Sequence, residues 1–272
     1  MPCRRTRSSS PATAPPALRP DRDAEEGSAA ALRWPPLRFS TTAEVRVLAV
    51  DGVPLCHVVD GALQDPGAWR AFAIAARGAF ADAPHNAFPG PELRLPGRVA
   101  AGLGQYFDER FRASFDGRRT ERFYARLSMV TRTPAQLMPW QWQPHVDQLA
   151  TSPDQSVAAS VLYLFDDPTL GGTAFYRPRR PAADTRAMVQ DASQLTPDEF
   201  SAKHGVAQGY QVESNAWFEK VASVPAEYNR LIVYSGTVFH SGDIAAPERL
   251  SGDPATGRLT LNGFFTCRRR AR

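Results

Sequence analysis

The chain has little that could fix a fold covalently. Its 272 residues contain three cysteines, Cys3, Cys56 and Cys267, and no CxxC pair. An odd count without paired spacing argues against a disulfide framework or a structural zinc site and fits a reducing cytoplasm. No apolar run approaches the ~20 residues that span a bilayer, so a membrane partner is not expected. Arg4, Arg5 and Arg7 are not followed by the apolar stretch of a secretory signal. Lysine is also scarce. Of 32 basic residues only Lys203 and Lys220 are lysines, which together with abundant Ala and Pro reads as a bias toward arginine. The formal net charge of +4 sits in the tails: residues 1–38 hold seven Arg against four carboxylates, and four of the last five residues are Arg. The body between is slightly acidic, so no specific nucleic-acid partner is expected.

Residues 1–38 are rich in Pro, Ser, Ala and Arg without a hydrophobic period and are expected to be a disordered N-terminal extension. Residues 39–272 are expected to form a single domain. Glu44–Val50 and Pro54–Asp60 alternate as strands around an Asp51-Gly52 turn. Asp65-Pro66 has the N-cap and first-turn residues of a helix. A second helix is predicted from Pro96 to Arg112, with Val99, Leu103, Tyr106, Phe107 and Phe111 on its apolar stripe. Helical support thus covers about 61–116. From about 117 to 267 the texture turns to strands, read as Glu121–Val130, Trp140–Val146, Val157–Phe165, Thr173–Tyr176, Arg230–Ser235 and Arg258–Thr266. Short strands with Pro, Gly and Asp turns predict an antiparallel sandwich or barrel. An insertion at 178–225 interrupts them, with a helix predicted over Glu213–Val221, and an insertion of that length suits a lid or binding element.

Three segments carry candidate chemistry. In Gln141-Trp142-Gln143-Pro144-His145-Val146-Asp147, strand alternation puts Gln141, Gln143, His145 and Asp147 on one face, so an imidazole and a carboxylate can meet one ion. His240 follows an apolar strand and a glycine turn, a suitable place for a ligand at a barrel mouth. Two histidines and a carboxylate make the facial set that holds a non-haem iron(II) with open positions. In Arg258-Leu259-Thr260-Leu261-Asn262, alternation turns Arg258, Thr260 and Asn262 one way and the leucines the other. A buried guanidinium needs a partner, and a ligand carboxylate can supply one through two parallel hydrogen bonds. His57, His85 and His204 have no partner at ligand spacing and read as structural or surface residues.

In this order the segments resemble the iron(II)/2-oxoglutarate-dependent dioxygenases, most closely their prolyl-hydroxylase-like branch, over about residues 121–267. The pattern is HxD, a distal His, then Arg-x-Ser/Thr, matched by His145, Asp147, His240, Arg258 and Thr260. Tyr163-Leu164 resembles the branch's tyrosine strand. Gly171-Gly172-Thr173-Ala174-Phe175 resembles its Gly-Gly-x-Thr-x-Phe element, one residue short. Arg258 lies eighteen residues beyond His240, further than is usual, and Arg249 is the competing candidate at a more usual distance. The resemblance implies a mainly β fold with flanking helices, a double-stranded β-helix (jelly-roll) barrel on N-terminal helical support. It further implies Fe(II) on His145, Asp147 and His240, and 2-oxoglutarate reaching Arg258 with help from Thr260 and Tyr163. Dioxygen would be the third reactant, for hydroxylation of an unactivated C–H bond with release of succinate and CO2.

Gln141, Gln143, Arg177 and the 178–225 insertion are the expected substrate selectors, for an amino-acid, peptidyl or small-metabolite substrate. Two other readings fit a jelly roll. One is a binding module without turnover. The other is a cupin-like metalloenzyme that does not use 2-oxoglutarate and has no need of an inward Arg258.

Overall fold

The computed structural model describes residues 32–82, 86–147 and 152–270. The fold is mainly β, with two antiparallel sheets and a few helices. The first strands form as the sequence predicts. β1 (Val45–Val50) and β2 (Val53–Val59) join through Asp51 (φ 53°) and Gly52 (φ 78°), the left-handed pair that matches a hairpin's twist. Helix α1 (Pro66–Ala75) starts where Asp65 accepts a hydrogen bond from the Ala68 N–H. Helix α2 (Gly97–Arg110) buries Leu103, Tyr106 and Phe107. Two short strands, β3 (Ala81–Asp82) and β4 (Pro91–Arg94), lie between the helices. The long strand β5 (Gly117–Val130) follows α2.

The remaining strands are β6 (Gln155–Tyr163), β7 (Gly172–Pro178), β8 (Phe218–Val224), β9 (Leu231–Ser235), β10 (Phe239–Asp243) and β11 (Arg258–Arg269). The large sheet runs β1-β2-β9-β6-β11-β5-β4-β3, and the small one runs β10-β7-β8. Among the described residues the large sheet ends at β1 and β3 rather than closing on itself, so the sheets face each other as separate layers. Period-two alternation assigns the faces. On β5 and β11, Ala125, Leu127, Met129, Leu259, Leu261 and Phe265 pack outward with the helices. Phe107 of α2 stacks on Phe265 at 3.8 Å between ring centroids. A buried phenylalanine contributes about 1.5–3 kcal/mol, so this pair helps clamp α2 onto the sheet. The inner faces of the two sheets meet through Phe175, Tyr163, Ile232 and Tyr234.

Four sequence expectations change. Residues 32–38 belong to the packed structure rather than to an extension: Leu37 is buried, Trp34 packs against Phe72, and Pro36 O accepts from Trp69 Nε1. The rest of that extension, and His85, lie outside the described residues. Trp140–Val146 is not a strand. Pro139 opens a 3-10 turn through Gln141, and of that segment only His145 makes a β-bridge, to His240; prolines at 139 and 144 deprive a ladder of donors. Glu213–Val221 is not a helix. Asn215 Oδ1 accepts from the Trp217 and Phe218 N–H groups, which starts a turn, and the chain then extends as β8. Finally, the 178–225 segment is mostly buttress. Its helices α3 (Ala182–Ala192) and α4 (Pro197–His204) bring Met188, Ala192 and Phe200 onto Ala174, Tyr176 and Phe218, the outer side of the small sheet. Among the described residues no helix is long and apolar enough to cross a membrane.

Candidate metal centre and cavity

A cavity of about 340 Å³ lies between the sheets, and His145, Asp147 and His240 line it. The backbone fixes their meeting. His145 and His240 exchange both N–H···O bonds at 2.9 Å, and the Asp147 N–H reaches Gly236 O at 2.8 Å. A chain held extended over three residues puts His145 and Asp147 on one side, as the HxD spacing requires. One ligating atom from each of the three side chains lies within 4.8 Å of the others. His240 Nε2 is 3.2 Å from Asp147 Oδ2, and His145 Nε2 is 3.8 Å from Oδ1. His240 Nδ1 lies 3.0 Å from the Val238 carbonyl, which fixes the ring and leaves Nε2 toward Asp147.

The electrostatics suit cation binding. Burial and the neighbouring His240 push the His145 imidazole down to about 3, against the pull of Asp147, so its ring is neutral. Burial works to raise the Asp147 carboxyl, but His240 and His145 outweigh it and the net shift is downward. Burial works to lower His240, and Asp147 outweighs it, so that shift is upward. An ionised carboxylate between two imidazoles is a two-nitrogen, one-oxygen donor set for a divalent transition metal. Tyr234, which the sequence reading passed over, brings its OH to 3.4 Å from Asp147 Oδ2.

Arg258 is 5 % exposed and lines the cavity. Its Nε and Nη2 donate to the carbonyls of Gly171 (3.0 Å) and Gly172 (2.8 Å), and its guanidinium lies over the Phe165 ring. Among the described residues no carboxylate pairs with it. The two glycines make this seat. Gly171 has φ +84°, and a Cβ there would lie 2.2 Å from Asp243 O; one at Gly172 would lie 1.9 Å from Val224 O. The seat is close to the metal ligands. Gly242 stands two residues beyond His240 on β10, ~7 Å along the strand, and a Cβ built at Gly242 would be 3.9 Å from Arg258 Nη2. Arg249, the competitor, pairs with Asp167 at the surface.

The other expected site residues divide. Thr260 lines the cavity, with Oγ1 3.4 Å from Ser128 O. Gln141 and Gln143 line it although their segment is not a strand; Gln141 caps its own 3-10 turn by accepting from the Met138 N–H. Tyr163 is fully buried behind the wall and shares a 2.8 Å hydrogen bond with Thr173 Oγ1, and Thr173 is the residue that faces the cavity. Arg177 points to solvent and pairs with Asp51, so it does not join the site. His57 packs between Phe111 and Phe115, and His204 bonds Asp191, both away from the site.

Sequence reasoning missed Tyr124 and Arg126, and it named the 178–225 segment without singling out its Tyr210 and Gln211; all four line the cavity. The alternation of Tyr124, Arg126 and Ser128 on β5 carried a signal for the first two. Tyr210 and Gln211 come from the irregular chain after α4, which has no period to read.

Several solved structures resemble this fold. A Pseudomonas putida prolyl-4-hydroxylase is 19 % identical, with 74 % of this chain and 86 % of that one covered at a TM-score of 0.34. HygX from Streptomyces hygroscopicus, crystallised with nickel and 2-oxoglutarate, is 10 % identical over 78 % and 82 % at 0.42. EvdO2 from Micromonospora carbonacea var. aurantiaca is 10 % identical over 80 % and 88 % at 0.42. These likenesses are distant. No curated protein matches the sequence. Residues 41–265 match the profile of a family of unknown function, DUF6445, and the chain belongs to that family.

Proposed function

We propose that the protein is an Fe(II)- and 2-oxoglutarate-dependent oxygenase that hydroxylates a small substrate, built on a jelly-roll framework. The observation that carries the reading is the pairing, in one cavity, of a two-histidine, one-carboxylate cluster with a buried arginine that has no carboxylate partner among the described residues. A cation seated on two carbonyls and an aromatic ring still calls for an anion. His145, Asp147 and His240 would hold the metal, and Arg258 the far carboxylate of the co-substrate. Iron(II) with 2-oxoglutarate and dioxygen supplies oxidation of an unactivated C–H bond, leaving succinate and CO2. The protein's residues do the positioning. The Val238 carbonyl sets the His240 ring, and the Gly236 carbonyl anchors the Asp147 backbone. Thr260 and Thr173 present hydroxyls to the cavity that contains Arg258, and Tyr163 orients the second of them. No protein general base is required, because the reaction makes no proton demand on a side chain that the metal site does not meet.

The test is anaerobic titration of the Fe(II)-loaded protein with 2-oxoglutarate, following the weak visible charge-transfer band of the chelate. The band is expected in wild type and should be lost in His240→Ala. Iron-loaded, folded protein without the band would instead favour a binding module or an enzyme that does not use 2-oxoglutarate.

A further inference from the structure

We propose that Arg126 forms a second anion subsite in the cavity and takes the carboxylate of the organic substrate, which makes that substrate a free α-amino acid. The inference rests on the oxygenase reading above and specifies what the same cavity binds besides the co-substrate.

Arg126 lies on the inner face of β5, directly opposite Asn262 of β11. Its guanidinium is 4.5 Å from the Phe88 ring centroid and 4.8 Å from that of Phe264. Two aromatic faces cover the plane and leave only the edges for hydrogen bonding. One edge is taken: Nη1 donates to Glu92 Oε2 at 2.6 Å, and the same oxygen accepts from Asn86 Nδ2 at 2.7 Å. Among the described residues Nε is buried and has no partner. With Nη2 it forms the side fork of the guanidinium, the geometry that grips a carboxylate through two parallel bonds. Leaving such a donor unmet is unfavourable, and a ligand at that edge would supply the missing acceptor.

Arg258 cannot serve the same ligand end. On β11 it stands opposite Val130, whereas Arg126 stands opposite Asn262. Four residues of strand separate those positions, ~13 Å. Arg126 lines the same cavity as His145 and Asp147. The cavity therefore presents two arginines at different places along its wall, and two carboxylate-bearing ligands can occupy it together. The Glu92 partner leaves the Arg126 pair close to neutral, which suits a monoanion better than a phosphate. The cavity also has an unmet acceptor. Gln143 Oε1, two residues before His145, is buried, has no partner among the described residues and can receive an ammonium N–H. A volume of about 340 Å³ is at the small end for ligand pockets, which favours a free amino acid over a larger molecule.

The experiment uses the full chain, loaded with Fe(II) and 2-oxoglutarate under argon, and reads thermal shift and affinity with each proteinogenic L-amino acid and its carboxamide. At least one amino acid should raise Tm while its carboxamide does not. Arg126→Lys keeps a cation beside Glu92 but loses the fork, and should weaken that amino acid at least ten-fold while leaving 2-oxoglutarate affinity within two-fold. The proposal falls if no amino acid stabilises wild type, if the carboxamide binds equally, or if the variant weakens 2-oxoglutarate instead. The carboxamide comparison is made on wild type, so it decides even if the variant does not fold. A missing charge-transfer band in the same samples would sink the oxygenase reading separately, because amino-acid binding is read from Tm and not from turnover.

Discussion

Replacing Arg258 by methionine tests the centre of the functional reading, and its two effects pull apart. In the folded protein the guanidinium donates to the Gly171 and Gly172 carbonyls. Removing it leaves two buried acceptors unmet, at about 1–3 kcal/mol each. The same change removes a desolvated cation that lacks a carboxylate, which offsets part of that cost. Stability in urea should therefore drop by less than the two acceptors alone would imply. The effect on 2-oxoglutarate has no such offset. Cutting one side of a buried, hydrogen-bonded charge pair costs about 2–5 kcal/mol. At 1.4 kcal/mol per factor of ten, Kd should rise from about 30-fold to several thousand-fold. Arg258→Lys, which keeps the charge without the fork, should fall between. Anaerobic titration of the charge-transfer band gives Kd, and circular dichroism checks the fold. A folded Arg258→Met protein whose Kd stays within about threefold of wild type would refute the assignment of Arg258 as the anchor.

Further predictions follow from the seat and the core. Gly172→Ala puts a Cβ 1.9 Å from Val224 O, so it should lower stability in urea by about 1–3 kcal/mol or more and weaken 2-oxoglutarate through the displaced carbonyl. Burial pushes the Cys56 thiol up to about 12. Its folded pKa is above the unfolded value, so the unfolded chain releases this proton first. The Cys56 contribution to stability is then full below about pH 8.5 and declines as pH rises toward 12. Native protein at pH 8 should leave Cys56 unlabelled by iodoacetamide, and urea-unfolded protein should not. Arg177→Ala, which breaks an exposed pair with Asp51, should change stability by less than about 0.5 kcal/mol and leave 2-oxoglutarate affinity unchanged. A large loss of that affinity would return Arg177 to the site.

The HxD pair was legible for a reason that survives a wrong element. Alternation predicts a strand over Trp140–Val146, and the prolines leave it a 3-10 turn and one bridge. Yet the i, i+2 rule needs only a locally extended chain, and the His145–His240 bridge supplies that where it matters. The alternation of Arg258, Thr260 and Asn262 held throughout, because β11 is paired on both sides, with β5 and β6. The Gly-Gly-Thr element was visible as a pattern, but its purpose was not. Only the close approach of Asp243 and Val224 explains why two glycines present their carbonyls to Arg258. The buttress of α3 and α4 has no pattern in the sequence, because its apolar residues are spread over 178–225 and converge only against the small sheet. Tyr210 and Gln211 lie in the 178–225 segment expected to select substrate, but no pattern singled out those two residues.

Arg126 marks the boundary between what a sequence gives and what packing adds. The alternation that turned Arg258 inward turns Arg126 inward as well, since Ala125, Leu127 and Met129 claim the outer face. Register then places both arginines on one wall, on neighbouring strands. What no pattern could supply is how each guanidinium is used. Arg258 donates along the edge that faces the glycine carbonyls, and Arg126 donates on the opposite edge to Glu92 while its Nε stays unmet. Two inward arginines on paired strands would repel in an empty apolar core. They are tolerable here because each is anchored on a different acceptor and both open on a polar cavity beside the metal-ligand cluster. The arrangement makes physical sense for a site that receives negative charge from two directions.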